Sequence, residues 1–390
     1  VIQSLDPVLL TPPVNPAPVV SQPTVSVLMQ TSKLTGSPVT LQVAGGGTGN
    51  LMIDWGDGNL ASYTISDNVN SPTEIVKNMI VDNAQIKIYV ENKYLTYLTC
   101  SNNELTRLDV TGAPMLLYLR CFNNTISQLD LSRNYELIML YCYTNNLTAL
   151  DVSNNIKLKS LQIQSNKISA LNLTGLTNLN SLTARNNPLG CIDLTTNKSI
   201  QSLNLRNCQL QTLDLSACYS VNLIEINNSG STYANRFSAC GLDSLYRSLP
   251  DRSKTVPGTL KVIYSVANPF YNDGEGSDKT IAVAKNWEVA SYVKEVLSGD
   301  GQGCPVSGVD ENGYIPETIL KLSPNPATTK VELEVPESML NKEMLLVDLT
   351  GKIIFKQRLD KVRTAVLTVN YKPGVYIVKV GNNTTRLIII

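Results

Sequence analysis

From Leu95 onward the apolar residues of this chain keep a fixed beat. They fall at the first, fourth, sixth, eleventh, fourteenth and sixteenth places of a 21-residue phrase. The phrase begins at Leu95, Leu116, Leu137, Leu158, Leu179, Ile200 and Val221, with no insertion between copies. The first copy reads LTYLTCSNNELTRLDVTGAPM and the third LIMLYCYTNNLTALDVSNNIK. The opening places predict a short strand with one face buried, and the later apolar pair predicts a return on the opposite side. One such coil cannot bury its own apolar edge, so the period predicts a stack of parallel strands, one per copy. Side chains alternate along a strand, so the third, fifth and seventh places project from the open face.

Phrases of this length with L-x-x-L-x-L/C-x-x-N-x-L resemble the leucine-rich repeat family, whose coils stack into a curved solenoid. The ninth place is Asn103, Asn124, Asn145, Asn166 and Asn187, giving way to Cys208. A buried amide there can bond the backbone of adjacent coils where a tight bend leaves it unpaired. The fifteenth place is Asp109, Asp130, Asp151, Asp193 and Asp214, with Asn172 in the fourth copy. These read as convex-side turn formers, because one carboxylate per coil supplies too few oxygens for calcium. Cys100, Cys121 and Cys142 share the sixth place and so point into the core. Parallel side chains on in-register strands about 4.8 Å apart exceed the roughly 3.5–4.5 Å Cβ separation of a disulfide. A ladder of free thiols is therefore expected, and three stacked sulfurs offer zinc no tetrahedron. Among Cys191, Cys208, Cys218, Cys240 and Cys304, a Cys240–Cys304 bridge is one pairing left open.

The patterning changes on both sides of the repeats. Residues 1–22 carry five prolines and read as an extended linker. Over residues 23–92, VSVLM, VTLQVA, LMIDW, ASYTI and IKIYV have strand length and β-branched or aromatic content, with GGGTGN and GDGN as turns. Asp54 and Asp57 flank the second turn and suit turn chemistry. The stretch LMIDWGDGNLASYTI resembles PKD-like domains, which implies an extracellular Ig-like β-sandwich. The repeat region with its cap is assigned to residues 93–297. After the seventh copy decays, GLDSLYRSLPDR predicts a helix or turn and TLKVIYS a strand. GSDKTIAVAKNWEV then predicts a loop and a short amphipathic helix ending near Trp287. This segment resembles the terminal cap of leucine-rich surface proteins from Bacteroidetes, and a solenoid end requires such a cover. Asp273, Glu275 and Asp278 within it read as a solvated turn rather than a cation site.

Residues 298–318 are a linker, and residues 319–390 a further β domain. KLSPNPATTKVELEV, LLVDLTGKIIFKQRL and GVYIVKVGNNTTRLIII resemble, in order, the blocks of the C-terminal sorting domain of type IX secretion. The resemblance implies a seven-stranded Ig-like sandwich that interacts with the type IX machinery. Its motif positions here are Pro324, Asn325, Pro326, Gly351, Lys352, Gly374 and Tyr376. The chain ends RLIII, without the basic close usual in that family. The fold class expected overall is mainly β, a leucine-rich repeat solenoid flanked by two β-sandwiches.

Lysine plus arginine equals aspartate plus glutamate at 32 each, so no net field draws the chain toward nucleic acid. No apolar run is long enough to span a bilayer, and the chain opens without the pattern of a secretion signal. There is no histidine, which excludes Ser-His-Asp and Cys-His catalysis. The open face instead carries Tyr97, Tyr118, Arg120, Phe122, Met139, Tyr141, Tyr143, Gln162, Gln164, Arg185 and Arg206. Large, stiff tyrosines and arginines supply binding energy at interfaces, and aromatic faces suit sugar rings. No row supplies a nucleophile with a base, nor two carboxylates spaced for glycoside hydrolysis. The expectation is a monomeric, non-catalytic protein of the cell surface or exterior, without metal or cofactor, binding a host or microbial protein or a glycan. A structural stalk without a ligand site, and more distantly an enzyme or carbohydrate-active accessory, are the alternatives.

Overall fold

The computed structural model describes residues 24–47, 50–90, 93–229, 232–263 and 276–291, with positions 272 and 274. In the tail it describes 321–323, 330–335, 340–348, 353–367, 371–372, 374–380 and 383–389, with positions 327 and 337. The chain is mainly β.

The first strands are β1 (Val25–Thr31), β2 (Pro38–Gly47), β3 (Leu51–Asp54), β4 (Leu60–Tyr63), β5 (Thr73–Asn78) and β6 (Gln85–Val90). Alternation in β1, β2 and β6 turns Val27, Met29, Val39, Leu41, Val43, Ile86 and Ile88 inward, where they are buried with Trp55. The Trp55 indole N–H donates to the Tyr63 hydroxyl at 3.0 Å, which satisfies its one polar atom inside the core. Asp54 builds the turn after β3: its Oδ1 accepts from the backbone N–H groups of Gly56 and Gly58 at 2.8 and 3.0 Å. Gly56 has φ +98°, and a Cβ there would meet the Ala84 Cβ at 2.8 Å, so the reversal requires glycine. Strand β5 was not expected from the sequence. It is an edge strand in which only Ile75 is buried, so it lacks the alternation that marks the others.

The repeats follow as β7 (Lys93–Thr99), β8 (Leu105–Asp109), β9 (Tyr118–Arg120), β10 (Met139–Tyr141), β11 (Ser160–Gln162), β12 (Ser181–Thr183), β13 (Ser202–Asn204) and β14 (Leu223–Glu225). Each concave strand pairs parallel with the next, joining residues 21 apart, as in Tyr97 to Tyr118 to Met139 to Ser160. Leu119, Leu140, Leu161, Leu182, Leu203 and Ile224 are the inward side chains of these strands, all fully buried. Burying such a side chain contributes about 1.5–3 kcal/mol, so the period converts directly into a continuous core.

The expected boundary at residue 92 is a change of strand direction and not a gap in the packing. Strand β2 pairs antiparallel with β7, so the repeat sheet continues through β2 to β5. On the other side β1 pairs antiparallel with β8, giving the sheet order β4-β3-β6-β1-β8. One hydrophobic cluster runs from Val27 to Val289. GGGTGN, read from sequence as a turn, serves this joint: Gly45, Gly46 and Gly47 end β2 opposite Leu95, Tyr94 and Lys93. A Cβ on Gly45 would lie 2.1 Å from the Tyr94 carbonyl oxygen, so only glycine allows the two strands to meet.

The far end closes with α1 (Ala239–Ser248), β15 (Gly258–Ile263), α2 (Thr280–Val283) and β16 (Trp287–Ser291). The Ser238 hydroxyl caps α1 by accepting from the Gly241 N–H at 3.1 Å. Trp287 does not end the short helix, as the sequence suggested. The chain leaves α2 through Asn286 in a left-handed conformation (φ 63°), and Trp287 opens a last parallel strand beside β15. Cys240 is disulfide-bonded, while Cys304, the pairing considered for it, lies outside the described residues.

The tail forms two sheets, β17 (Lys321–Ser323) with β18 (Lys330–Glu334) and β21 (Arg363–Leu367), and β20 (Ile353–Arg358) with β19 (Glu343–Asp348), β22 (Gly374–Val380) and β23 (Asn383–Ile389). They enclose a separate core that includes Val331, Leu333, Leu346, Val378 and Leu387. Gly374 opens β22 opposite Ile389. Tyr376 is buried on the same strand and donates from its hydroxyl to the Lys372 carbonyl at 2.7 Å. Pro324, Asn325, Pro326, Gly351 and Lys352 lie outside the described residues.

Candidate functional site

The concave face is supported from beneath by two kinds of buried side chain. Asn145 shows the first: its Oδ1 accepts from the Ile126 N–H at 3.0 Å, and its Nδ2 donates to the carbonyls of Cys121 and Cys142 at 2.9 and 3.1 Å. Asn124, Asn166 and Asn187 repeat the pattern. The first rung, Asn103, bonds both the N–H and the carbonyl of Thr40 and so ties the repeats to β2. The ladder also outlasts the sequence period, through Asn235, which donates to Leu205 and Ile226, and Asn272, which donates to Ile226 and Val262. Beneath the same strands Cys100, Cys121 and Cys142 are free and fully buried. Burial pushes the thiols of Cys100 and Cys142 up to about 12, and that of Cys121 well above the usual value. They are protonated packing groups, not nucleophiles.

The turns leaving each strand are equally local in origin. The eighth place takes a left-handed conformation at Asn102, Asn123, Thr144, Ser165, Asn186 and Asn207. On the convex side Asp109, Asp130, Asp151, Asp193 and Asp214 each accept from the N–H two residues on, at 2.9–3.0 Å. The sequence reading overlooked a second asparagine row at the nineteenth place. There Asn134, Asn155 and Asn197 are fully buried and donate to carbonyls of the preceding coil. Recurrence of Asn at one place of the phrase was the available signal.

Outward side chains then fall into register. The middle column runs Thr99, Arg120, Tyr141, Gln162, Thr183, Asn204, Glu225 and Lys261. The Arg120 guanidinium lies between two rings, 5.6 Å from the Tyr97 centroid and 5.5 Å from that of Tyr141. Tyr97 is itself only 5% exposed, tilted against Tyr118 at 6.0 Å, so it forms the base of this cluster and not its rim. Phe122 and Tyr143 stack face to face, with centroids 4.4 Å apart and planes 5° apart. Burial raises the Tyr143 hydroxyl above the usual phenol range, the Arg120 charge acting in the opposite sense. The phenol is therefore neutral at physiological pH. Tyr118, Arg120, Phe122, Met139, Tyr141, Tyr143, Gln162, Arg185 and Arg206 are half-buried, and Gln164 is buried. Several polar atoms of the face are buried without a hydrogen-bond partner among the described residues: Ser101 Oγ, Arg120 Nε, Gln164 Oε1 and both amide atoms of Asn227.

Toward the cap the character changes. Glu225 accepts from Lys261 Nζ and Asn204 Nδ2, each at 2.7 Å, so charge is neutralised internally. A depression of about 330 Å³ beside them is lined by Leu223, Thr259, Lys261, Glu288, Ala290 and Ser291. Among the described residues no group of three or more metal-ligating side chains converges.

Residues 321–390 match the family model described as secretion system C-terminal sorting domain. The chain is thus a secreted or cell-surface protein of the type IX route. No curated protein matches it. Among solved structures it is similar to the functional domain of InlJ from Listeria monocytogenes, described as including a cysteine ladder. That match has 20% identity and a TM-score of 0.36, covering 76% of this chain and 67% of that one. A leucine-rich repeat protein of Leptospira interrogans matches at 19% identity and TM-score 0.37, covering 50% and 54%. An internalin, InlF of Listeria monocytogenes, matches at 18% and 0.33, covering 52% and 62%. The match spans about two thirds or less of each of these three chains.

Proposed function

We propose that this protein is a non-catalytic recognition or adhesion protein that displays its concave repeat sheet outside the cell to bind a protein or glycan. The observation that carries this reading is the first three rows of that sheet. Five aromatic rings and an arginine stand in fixed register there, and polar atoms beside them lack partners among the described residues. A rigid array of this kind loses little conformational entropy on binding, which favours affinity. The tail supports display outside the cell, since it matches a sorting domain of secretion. We further infer that the N-terminal strands are a PKD-like domain and that the source is a member of the Bacteroidetes. These rest on the WGDG turn and on the cap segment.

The test replaces Tyr118, Phe122, Tyr141 and Tyr143 together with serine and probes glycan and extracellular-matrix arrays with the full chain. Loss of array binding by a variant that melts like the parent supports recognition through this face. Binding retained by that variant removes this face as the binding site, and no binding by the parent supports a structural stalk.

A further inference from the structure

Arg120 projects from β9 with a tyrosine ring on either side, at 5.6 and 5.5 Å. The cation lies over both rings and is attracted by their π-systems, while its N–H groups remain the part that can form hydrogen bonds. Among these, Nη2 has the Met139 sulfur at 3.8 Å, a weak acceptor. Nε is buried and has no partner among the described residues. No carboxylate of the described residues lies within ion-pairing distance. This contrasts with Lys261 on the same sheet, which has Glu225 at 2.7 Å. A half-buried charge without a counter-ion is costly, and a guanidinium presents a planar fork that fits a carboxylate through two parallel bonds.

We infer that Arg120 is a carboxylate-binding subsite and that the ligand of this face is an acidic saccharide, a glycan bearing uronic or sialic acid units. The inference rests on the reading of the concave sheet as a binding wall. The surroundings of the fork select sugar over peptide. Apart from Met139, the outward groups on the neighbouring rows are aromatic rings and hydrogen-bonding groups: the Phe122–Tyr143 stack, the Ser101 hydroxyl and, two strands on, the Gln162 and Gln164 amides. Aromatic plates receive the C–H face of a pyranose and amides receive its hydroxyls. A peptide anchor instead seeks an apolar pocket. Arg185 lies three strands further along, about 14 Å at the usual strand spacing. It too has no ion pair among the described residues, and it is placed to meet a second carboxylate of the same chain.

Titration calorimetry of the full protein tests this with oligogalacturonate, sialyllactose and a hyaluronan tetrasaccharide. The controls are the methyl ester of the first and hexaglutamate. The expected result is binding of at least one acidic saccharide, with Arg120→Lys about tenfold weaker although the charge is kept, because an ammonium lacks the fork. If oligogalacturonate is the ligand, esterification weakens it comparably. Millimolar concentrations of all three saccharides without binding, indifference to Arg120→Lys in a variant that melts like the parent, or equal binding of hexaglutamate would each overturn the inference. The ester comparison uses the unaltered chain and so does not depend on how a variant folds. If neutral glycans or matrix proteins bind in a manner lost on Phe122→Ser and Tyr143→Ser but indifferent to Arg120→Lys, the binding wall stands and the carboxylate subsite falls.

Discussion

A single asparagine at the ninth place of a coil closes three backbone accounts in a dry interior: one N–H and two carbonyls, drawn from two coils. Truncating it leaves those groups buried and unpaired, each at about 1–3 kcal/mol. Asn145→Ala is therefore expected to lower stability by at least about 3 kcal/mol in urea unfolding, whereas the exposed Asn154→Ala should stay within about 0.5 kcal/mol. The thiols beneath give a pH signature of definite sign. Their folded values near 12 lie above the ordinary 9.0, so the unfolded chain releases these protons first as pH rises. Their contribution to stability is whole below about pH 9 and is lost as pH climbs toward about 12. Replacing Cys100, Cys121 and Cys142 with alanine should flatten that part of the stability–pH curve, as followed by urea midpoints at several alkaline pH values. The thiols should also resist a soluble disulfide reagent until the chain unfolds.

Among the elements, the closing strands depend on one close approach. Trp287 lies over Gly258, where a Cβ would meet the ring at 2.5 Å, and its indole N–H donates to the Pro250 carbonyl at 2.9 Å. Gly258→Ala must displace the ring. The expected outcome is faster hydrogen exchange across β15 and β16 and little change at β9 and β10. Such elements also show where a sequence is readable. Strands that repeat an inward side chain every 21 residues announce themselves, and so did the free thiols, the convex aspartate turns and the aromatic rows. Strands β5, β8 and β16 did not, because what makes them strands is pairing with a partner outside the 21-residue period: β2, β1 and β15. Asn235 and Asn272 escaped notice for a related reason. They occupy ladder positions in space after the spacing that would reveal them has broken. The burial of Tyr97 depends on Tyr118 and Arg120 lying across it, a fact of three dimensions that its own place in the phrase cannot convey.

For the molecule as a whole, residues 24–291 share one core while the tail has another. Leu346→Asp should therefore abolish a calorimetric transition belonging to the tail and leave the larger one in place. A chain beginning at residue 93 should fare worse than its repeat count suggests. It would expose the β7 edge that β2 covers and the β8 edge that β1 covers, and light scattering should report its self-association. The asparagine rungs point the other way for internal coils. Each fastens its own loop to the previous one by the same bonds, so excising or duplicating one complete internal unit in frame keeps the asparagine bonds at the new joint. The reach of the concave sheet is then adjustable in whole steps, much as a ladder is lengthened without redesigning its rails.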